Sequence, residues 1–105
     1  SVLKAVICTG IEKYEPTGTG SEFSKDVGRI YLYSKVKMPK GETGKIKHVW
    51  KLNGKAISTV ELAVKGPTFR TRSYKTITEK MSGDWTVDVV SENGEVLETV
   101  MFNVL

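Results

Sequence analysis

The segment Ile46–Lys55 is the feature that most restricts the possible folds of this chain. Apolar and polar residues alternate along it, Trp50 lies near its centre, and the turn-forming pair Asn53-Gly54 lies at its end. Alternation with a period of two places every second side chain on the same face of a β-strand. We therefore predict a central strand of a β-protein, with Trp50 as the residue around which the core packs.

Similar short apolar runs recur along the chain, separated by clusters of Gly, Pro, Asn and Ser, and no segment has a helical period. This pattern is typical of a β-sandwich or a small barrel. A tryptophan buried on the third strand favours an immunoglobulin-like antiparallel β-sandwich of about seven strands. The predicted strands are Val2–Cys8, Arg29–Lys37, Lys45–Asn53, Lys55–Val64, Thr68–Ile77, Trp85–Ser91 and Val96–Val104.

The last hairpin can be tested by the phase of its side chains. Its Asn93-Gly94 pair predicts a two-residue type I′ turn. That turn places Trp85 opposite Phe102, so that apolar residues of both strands meet on one face. The register is therefore consistent with a buried inner face.

The hairpin that follows the central strand requires a different loop. A two-residue turn would point the apolar residues of the next strand away from Trp50, because a slip of one residue exchanges the two faces. A three-residue loop, Asn53-Gly54-Lys55, restores the phase and places Trp50 opposite Ser58. We therefore predict the longer loop, with Gly54 in the left-handed conformation.

A length of 105 residues is sufficient for one domain with its own core. We expect a single β-sandwich domain, residues 1–105, excised from a larger protein, because strand-like sequence begins directly at Val2. No apolar run approaches the ~18 residues that a membrane span needs. Cys8 and His48 are the only residues of their types, so an intrachain disulfide is excluded, and no metal site or cofactor is expected.

The net charge of +4 conceals an uneven distribution of charge along the chain. Residues 35–80 hold twelve basic side chains against three acidic ones, whereas residues 81–105 hold five acidic side chains and no basic one. This separation indicates either a basic face for an anionic partner or adjacent strands of opposite charge that neutralise each other. Nucleic-acid binding is not expected, because no nucleic-acid-binding motif is present.

No motif in the sequence indicates catalysis. The chain lacks the GxSxG, P-loop, HExxH and EF-hand patterns. A nucleophile–base pair of Cys8 and His48 has no third group to orient it. The acidic residues of the last hairpin look like solvated side chains rather than the paired carboxylates of a glycosidase. We predict that the protein is not an enzyme and has no catalytic residues.

The predicted strand Thr68–Ile77 carries the strongest candidates for a binding site. Its inward phase contains Ser73 and Lys75, and a lysine beside the core is costly unless it is paired. We predict a polar cluster of His48, Ser73, Lys75 and Glu98 at one end of the sandwich. This cluster is either an internal hydrogen-bond network that fixes strand register or part of a ligand site. A bulge that turns Lys75 into solvent is the other alternative.

The outward phase of the same strand contains Arg70, Arg72 and Tyr74. Two guanidinium groups beside an aromatic ring suit a phosphate, a carboxylate or an acidic sugar. Tyr31 and Tyr33 form a second aromatic row that we expect to be exposed. The residues predict a glycan or another anionic ligand, although a solvated strand face has the same pattern.

An outward apolar row on the last hairpin is a candidate for a protein partner. It consists of Val90, Leu97 and Met101, and such a patch is covered either by the N-terminal strand or by another protein. A free strand edge is the second candidate for a protein partner.

Several short motifs occur in a fixed order along nearly the whole chain. They are Ile7-Cys8-Thr9-Gly10-Ile11, Asp26-Val27-Gly28-x-Ile30-Tyr31, His48-Val49-Trp50 with Asn53-Gly54-Lys55, Arg70-Thr71-x-Ser73-x-Lys75-x-Ile77, Gly83-x-Trp85-x-Val87-x-Val89 and Gly94-x-Val96-Leu97. The ordered set resembles a bacterial family of domains of unknown function. Members of that family typically lie at the C-terminal end of bacterial proteins, often after a membrane anchor. The resemblance thus implies a periplasmic, cell-envelope or extracellular location, and it implies no activity or substrate.

The sequence therefore predicts a non-catalytic accessory or binding module of a bacterial envelope or secreted protein, with carbohydrate as the candidate ligand. The alternative is a protein-interaction or spacer domain without a small-molecule ligand. Trp50 and Trp85 are the predicted core anchors. The candidate ligand-binding residues are His48, Arg70, Arg72, Ser73, Tyr74, Lys75, Tyr31 and Tyr33.

Overall fold

A computed structural model describes residues 1–105 as ten β-strands and one short 3₁₀ turn. The strands are β1 (Val2–Cys8), β2 (Gly10–Glu12), β3 (Glu15–Thr17), β4 (Glu22–Phe23), β5 (Arg29–Lys37), β6 (Thr43–Leu52), β7 (Lys55–Lys65), β8 (Thr68–Thr76), β9 (Gly83–Ser91) and β10 (Val96–Val104). The 3₁₀ turn, Glu79–Met81, lies between β8 and β9. All seven predicted strands are present, and their ends lie within two residues of the predicted ones. The fold has no helix with the length and apolar character of a membrane span.

The strands form two sheets that pack face to face. One sheet has the order β1-β5-β8 and the other has the order β4-β10-β9-β6-β7, while β2 and β3 form a separate small hairpin. Every strand pair is antiparallel except β4 with β10. The predicted all-β class and β-sandwich architecture are confirmed, whereas the immunoglobulin-like assignment stays a prediction.

The two tryptophans lie at the centre of the core between the sheets. Trp50 and Trp85 are buried and meet edge to face, with their ring centroids 6.4 Å apart. Phe102 stacks on Trp85, with their ring centroids 5.6 Å apart. Three aromatic residues therefore cover the middle of the inner face of the five-stranded sheet. Five other side chains with the inward phase are only half-buried, because they lie on outer strands or at strand ends. They are Leu52, Val60, Leu62, Phe69 and Val100.

The β6–β7 hairpin has the predicted register, with Trp50 opposite Ser58, but the predicted three-residue loop is wrong. Asn53 and Gly54 have φ values of 49° and 83°, which is the pair of left-handed residues that a two-residue type I′ turn requires. The additional residue that restores the phase is Ile57, which forms a bulge beside Ser58. Bulges of this kind are common on edge strands such as β7.

The β9–β10 hairpin also has its predicted register, but the predicted two-residue turn is wrong. The Gly94 amide donates to the Ser91 carbonyl over 3.0 Å, and Gly94 alone is left-handed, with a φ of 91°. This turn belongs to a three-residue loop, and a bulge at Leu97 compensates for it. In both hairpins the burial of alternate residues sets the strand register, and a bulge absorbs the difference in loop length.

The connection Gly10–Gly28 contains the three short strands that were not predicted. The β2–β3 hairpin contacts β1 and β5, and it lies across the outer face of the three-stranded sheet, the side turned away from the core. Strand β4 pairs with the end of β10 and extends the five-stranded sheet. Strands of two or three residues are too short to give a recognisable alternation, so their position depends on the sheets they contact.

Replacement of Asn53 tests how the β6–β7 turn stabilises the fold. The Asn53 side-chain oxygen accepts a hydrogen bond from the Asp84 amide over 3.0 Å. We expect Asn53→Ala to lower the free energy of unfolding by about 2 kcal/mol, because it loses that bond and places a Cβ-bearing residue without local hydrogen bonding in the left-handed region. Urea unfolding followed by tryptophan fluorescence measures this change.

Asn53→Gly is the matched control for this prediction. Glycine adopts a positive φ without strain and loses only the hydrogen bond, so the expected loss is about 1 kcal/mol. Equal losses in the two variants would contradict a contribution from the left-handed backbone.

Candidate functional site

The outer face of the three-stranded sheet brings together most of the predicted ligand-binding residues. Strand β5 lies between β1 and β8, and its odd-numbered residues share the outward phase with the even-numbered residues of β8. Tyr31 is opposite Tyr74, Tyr33 is opposite Arg72, and Lys35 is opposite Arg70. We call this surface the basic face, and its exposed or half-buried charged and aromatic members are Lys4, Arg29, Tyr31, Lys35, Lys37, Arg70, Arg72 and Tyr74.

Three basic residues of the basic face lie in one row across three strands. Lys4 of β1 is opposite Lys35 of β5, which is opposite Arg70 of β8. Like charges directly opposite each other destabilise a sheet. The nearest compensation is Glu15 of the β2–β3 hairpin, whose carboxylate lies 3.5 Å from Arg70 Nη2. The basic face therefore holds more positive charge than its own acidic residues neutralise.

The outer face of the five-stranded sheet has the opposite electrostatic arrangement. Lys45 pairs with Glu61 at 3.4 Å, and Lys51 pairs with Asp88 at 2.9 Å. Burial raises the pKa of Asp88, but its hydrogen bonds with Lys51 and Thr99 outweigh burial and hold the pKa below its usual range. The two sheets therefore differ, because Lys45 and Lys51 of the five-stranded sheet are paired with carboxylates, whereas Glu15 is the only carboxylate paired with the row of basic residues on the three-stranded sheet.

Two tyrosines and an arginine form an aromatic group at one end of the basic face. The ring centroids of Tyr31 and Tyr74 are 5.8 Å apart, and the guanidinium carbon of Arg29 lies 4.4 Å from the Tyr74 ring centroid. This distance is within the range of a cation–π contact. Tyr74 is 48% exposed and Tyr31 is half-buried, so the group is accessible to a ligand. Arg29 was not among the predicted site residues.

The prediction that Tyr33 is exposed is wrong. Tyr33 has the outward phase, but it is only 2% exposed because the β2–β3 hairpin lies over it. Arg70 Nε donates a hydrogen bond to the Tyr33 hydroxyl over 3.1 Å. Tyr33 therefore supports the Arg70 side chain and cannot stack on a ligand with an open ring face.

A small pocket lies between the tip of the β2–β3 hairpin and β8. Its volume is about 230 Å³. Tyr14 at the hairpin tip is 77% exposed, and both Lys13 and Tyr14 have positive φ values, 50° and 64°. A bulky residue in the left-handed region is uncommon and costs backbone energy. The pocket is lined by Ile11, Tyr14, Tyr33, Arg70, Thr71 and Arg72.

Tyr14 is not predictable from the sequence, because the connection Gly10–Gly28 has no alternation that indicates strands. The only local signal was an aromatic residue in a polar segment that ends at Pro16. The proximity of Tyr14 to Arg72 follows from the way the hairpin folds across the sheet, which no pattern in the connection reveals.

The only histidine lies in the centre of the core, in a network of buried hydrogen bonds. His48 of β6 is fully buried, its Nδ1 lies 2.6 Å from Ser73 Oγ, and its Nε2 lies 2.9 Å from Ser34 Oγ. Trp50 Nε1 donates to Ser73 Oγ over 3.0 Å, and Ser34 Oγ lies 2.5 Å from Thr71 Oγ1. Ser34 and Ser73 belong to the three-stranded sheet, so the network joins the two sheets through their cores.

The predicted cluster of His48, Ser73, Lys75 and Glu98 is therefore only partly correct. It was predicted at one end of the sandwich, whereas His48 and Ser73 meet in the centre of the core. Ser73 contacts His48 as predicted, but Lys75 and Glu98 make no hydrogen bond or ion pair with it, since His48 is enclosed by other residues. Glu98 is exposed, beside the bulge at Leu97, and Lys75 is half-buried near the end of β8. Lys75 and Glu98 also form no ion pair with each other.

Ser34 is a member of the network that sequence analysis missed. It follows Ile30 and Leu32 in the inward phase of β5 and precedes Val36, so its alternation already placed a hydroxyl in the core. A buried serine needs a hydrogen-bond partner, and the only histidine was available as that partner.

The hydrogen-bond chain identifies the histidine tautomer. If Nε2 carries the hydrogen, Ser73 donates to Nδ1, and Nε2 donates to Ser34. The Ser34 hydroxyl then donates to Thr71, whose hydroxyl donates to the Ser34 main-chain carbonyl over 3.3 Å. In the other tautomer, Ser73 would accept from both His48 and Trp50, and its own hydroxyl hydrogen would lack a partner. Only the first arrangement gives every hydrogen an acceptor.

The buried histidine has no access to a substrate and no cysteine partner. Burial lowers the pKa of His48 to about 4, so the ring is neutral near pH 7. Cys8 is on the opposite phase of β1 from the core, opposite Tyr31, and burial raises the pKa of its thiol. No group of three or more His, Cys, Asp or Glu side chains has the arrangement of a metal site.

The predicted apolar row on the last hairpin is not continuous. Met101 is 71% exposed, but Thr99 and Asp88 lie between it and Val90, joined by a hydrogen bond of 2.7 Å. The bulge turns Leu97 into a cavity at the end of the sandwich. The row therefore does not present one apolar surface to a partner.

The neutral state of His48 predicts a specific dependence of stability on pH. Its pKa falls from 6.5 to about 4 on folding, so the unfolded chain binds the proton more tightly. The neutral His48 ring therefore makes its full contribution to the free energy of unfolding above pH 6.5. As the pH falls from 6.5 towards 4, the free energy of unfolding decreases by roughly 3 kcal/mol in total. Urea unfolding at a series of pH values measures this loss. His48→Gln is the control, because it has no group that titrates at this position. If the stability of His48→Gln changed between pH 6.5 and 4 as much as that of wild type, the assignment of this pH dependence to His48 would be contradicted.

The tautomer predicts an NMR signature. We expect His48 Nε2 to give the signal of a protonated imidazole nitrogen and Nδ1 that of an unprotonated one at pH 7, because Ser73 donates to Nδ1. Long-range ¹H–¹⁵N correlation spectra measure both nitrogens. A protonated Nδ1 would contradict the proposed direction of the hydrogen-bond chain.

Comparison with known proteins gives a family but no activity. No curated protein matches the chain. The family described as "Protein of unknown function (DUF2914)" matches residues 43–104, which comprise β6 to β10 and more than half of the chain. The chain therefore belongs to this family of domains of unknown function.

Proposed function

We propose that the chain is a non-catalytic accessory module that binds carbohydrate through the basic face. The observation that carries this proposal is the accessible Tyr31–Tyr74 pair, with the Arg29 guanidinium over the Tyr74 ring and Arg72 two residues before Tyr74 on β8. Aromatic rings offer flat apolar surfaces for sugar rings, and guanidinium groups donate several hydrogen bonds in a fixed plane. The combination suits a sugar that carries polar or acidic substituents.

The sheet beneath the basic face is a rigid support for such a ligand. Strand β5 is hydrogen-bonded on both sides, to β1 and to β8. Ser73 lies between Arg72 and Tyr74 in the chain, and it is fixed by Trp50 and His48 in the core. Binding residues on strands with a fixed inner face are better preorganised than residues on loops.

The proposal includes a setting outside the cytoplasm, in a larger bacterial protein. The resemblance of the motifs to envelope-associated domains supports a periplasmic, cell-envelope or extracellular location. A surface for polysaccharide also suits the envelope, where such polymers lie.

A protein-interaction or spacer domain is the second candidate function. The observation that favours it is the free edge of β7, an outermost strand of eleven residues. Such an edge exposes unpaired main-chain groups to which another strand can add. However, the bulge at Ile57 interrupts this edge, and a lysine lies at each end of the strand, at Lys55 and Lys65. Both features oppose pairing of strands.

The variant Tyr74→Ala tests the proposed carbohydrate surface. We expect its affinity for a bound polysaccharide to fall about fivefold, because removal of one stacking ring costs roughly 1 kcal/mol. Affinity electrophoresis in gels that contain neutral or acidic polysaccharides measures this change. The stability of the variant should remain close to wild type, since Tyr74 is on the surface.

Met101→Ala is the matched control for Tyr74→Ala. It removes an exposed apolar side chain from the opposite sheet and should leave the affinity unchanged. Absence of binding by wild type to every neutral and acidic polysaccharide in the panel would overturn the proposed function.

A further inference from the structure

We propose that the pocket between the β2–β3 hairpin and β8 holds the carboxylate of an acidic sugar unit, with Arg72 as its principal partner. The ligand class is then a polyuronate, a polymer of sugars that carry carboxylates. This inference rests on the proposed function, because it names the ligand of the same face.

Arg72 is the free guanidinium of the pocket. It is exposed, and none of the three ion pairs of the protein includes it. Arg70, in contrast, donates to the Tyr33 hydroxyl and pairs with Glu15. A guanidinium with all its donors free can bind a carboxylate through two parallel hydrogen bonds.

Glu15 shows that this side of the sheet admits a carboxylate. Its side chain is 57% exposed, and its oxygen lies 3.5 Å from Arg70 Nη2, which is longer than a charge-assisted hydrogen bond. The hairpin therefore supplies a loosely held internal carboxylate beside the pocket. A carboxylate of the ligand competes with it for the positive charge, so Glu15 weakens binding.

The lining of the pocket favours a sugar ring over a free anion. Ile11 supplies apolar surface, and Tyr14 stands at the rim with its ring in solvent. An inorganic anion makes no use of such surfaces, whereas a pyranose ring packs against them. A volume of about 230 Å³ is smaller than the ~300–1,000 Å³ of a site that encloses a whole drug-sized ligand. The pocket therefore suits one charged unit of a longer chain.

The rest of the basic face favours a polymer with repeated charge. Alternate residues of a strand are about 7 Å apart, so Arg70 and Arg72 present two charges along β8, and Lys35 and Lys4 extend the charge across β5 and β1. Beyond Arg72, the Tyr31–Tyr74 pair offers a ring-stacking surface to the next unit. A single acidic monosaccharide would contact only a small part of this surface.

Two polymers that share the same sugar backbone test whether the protein recognises the carboxylate. Polygalacturonate and its fully methyl-esterified form share one sugar backbone, and each carboxylate of the first is a neutral methyl ester in the second. Isothermal titration measures the binding of each to the full chain. We expect polygalacturonate to bind and the ester to bind at least tenfold more weakly, since hydrogen bonds to charged groups contribute about 1.5 kcal/mol or more. Dextran sulfate is the comparison polymer for another acidic group.

Three variants locate the carboxylate contact. Arg72→Met should weaken polygalacturonate binding about tenfold or more, and Arg72→Lys should give an intermediate loss, because lysine keeps the charge but lacks the planar pair of donors. Glu15→Gln should strengthen binding by up to about fivefold, which corresponds to the strength of an exposed ion pair. Circular dichroism and urea unfolding confirm that each variant is folded.

Lys47→Gln is the matched control, because it removes one positive charge from the opposite sheet at an exposed residue that makes no ion pair. It should change the affinity by less than twofold. An equal loss for Lys47→Gln and Arg72→Met, or equal binding of dextran sulfate, would overturn the inference in favour of general polyanion binding.

The remaining outcomes separate the two proposals. Equal binding of polygalacturonate and its ester would overturn carboxylate recognition and leave the carbohydrate proposal in place. Binding of neither polymer, together with binding of a neutral polysaccharide, would also overturn only the inference. Binding of no polysaccharide at all would overturn both.

Discussion

The buried hydrogen bonds of His48 are the constraint on which the rest of the structure depends. A neutral imidazole in the core is tolerable only if both ring nitrogens are paired. The partners, Ser34 and Ser73, come from β5 and β8, two of the three strands that form the basic face. No buried side-chain polar atom of the protein lacks a partner. The network therefore fixes β5 and β8 relative to β6 more specifically than apolar packing alone, because apolar contacts tolerate small shifts and hydrogen bonds do not.

Because the network fixes β5 and β8, it also fixes the positions of their outward side chains. Each residue of the basic face is next in sequence to an inward residue whose position is fixed by the core, as Lys35 is to Ser34 and Arg72 to Ser73. The two sheets then differ in how they treat positive charge. Lys45 and Lys51 meet carboxylates on neighbouring strands, whereas Lys4, Lys35 and Arg70 meet one another. A stable sheet rarely needs such a row, which is why the basic face, rather than the neutralised one, is the candidate for function.

Sequence patterns predicted the parts of the structure that depend on alternation. The strands, the burial of Trp50 and Trp85, and the registers of both hairpins follow from which residues must face the core. The turns themselves were predicted wrongly, because a bulge at Ile57 or Leu97 lets either loop length serve the same register. Contacts between distant segments were beyond local patterns. The burial of Tyr33 and the position of Tyr14 depend on a hairpin of three-residue strands. Lys75 and Glu98 share the inward phase with core residues, but they lie too near the rim of the sandwich to enter the core.

The strand order of the smaller sheet shows how much of the fold the family match covers. The family match, residues 43–104, contains only β8 of that sheet, whereas β1 and β5 precede it in the chain. Without β5, the hydroxyl of Ser34 and the apolar side chains of Ile30, Leu32 and Val36 would be missing from the core. Strand β8 would have no neighbour in its own sheet, and part of the apolar cluster that contains Trp50 would be lost. The matched segment therefore lacks two of the three strands of the smaller sheet, and the core around Trp50 includes residues of a strand that precedes the match.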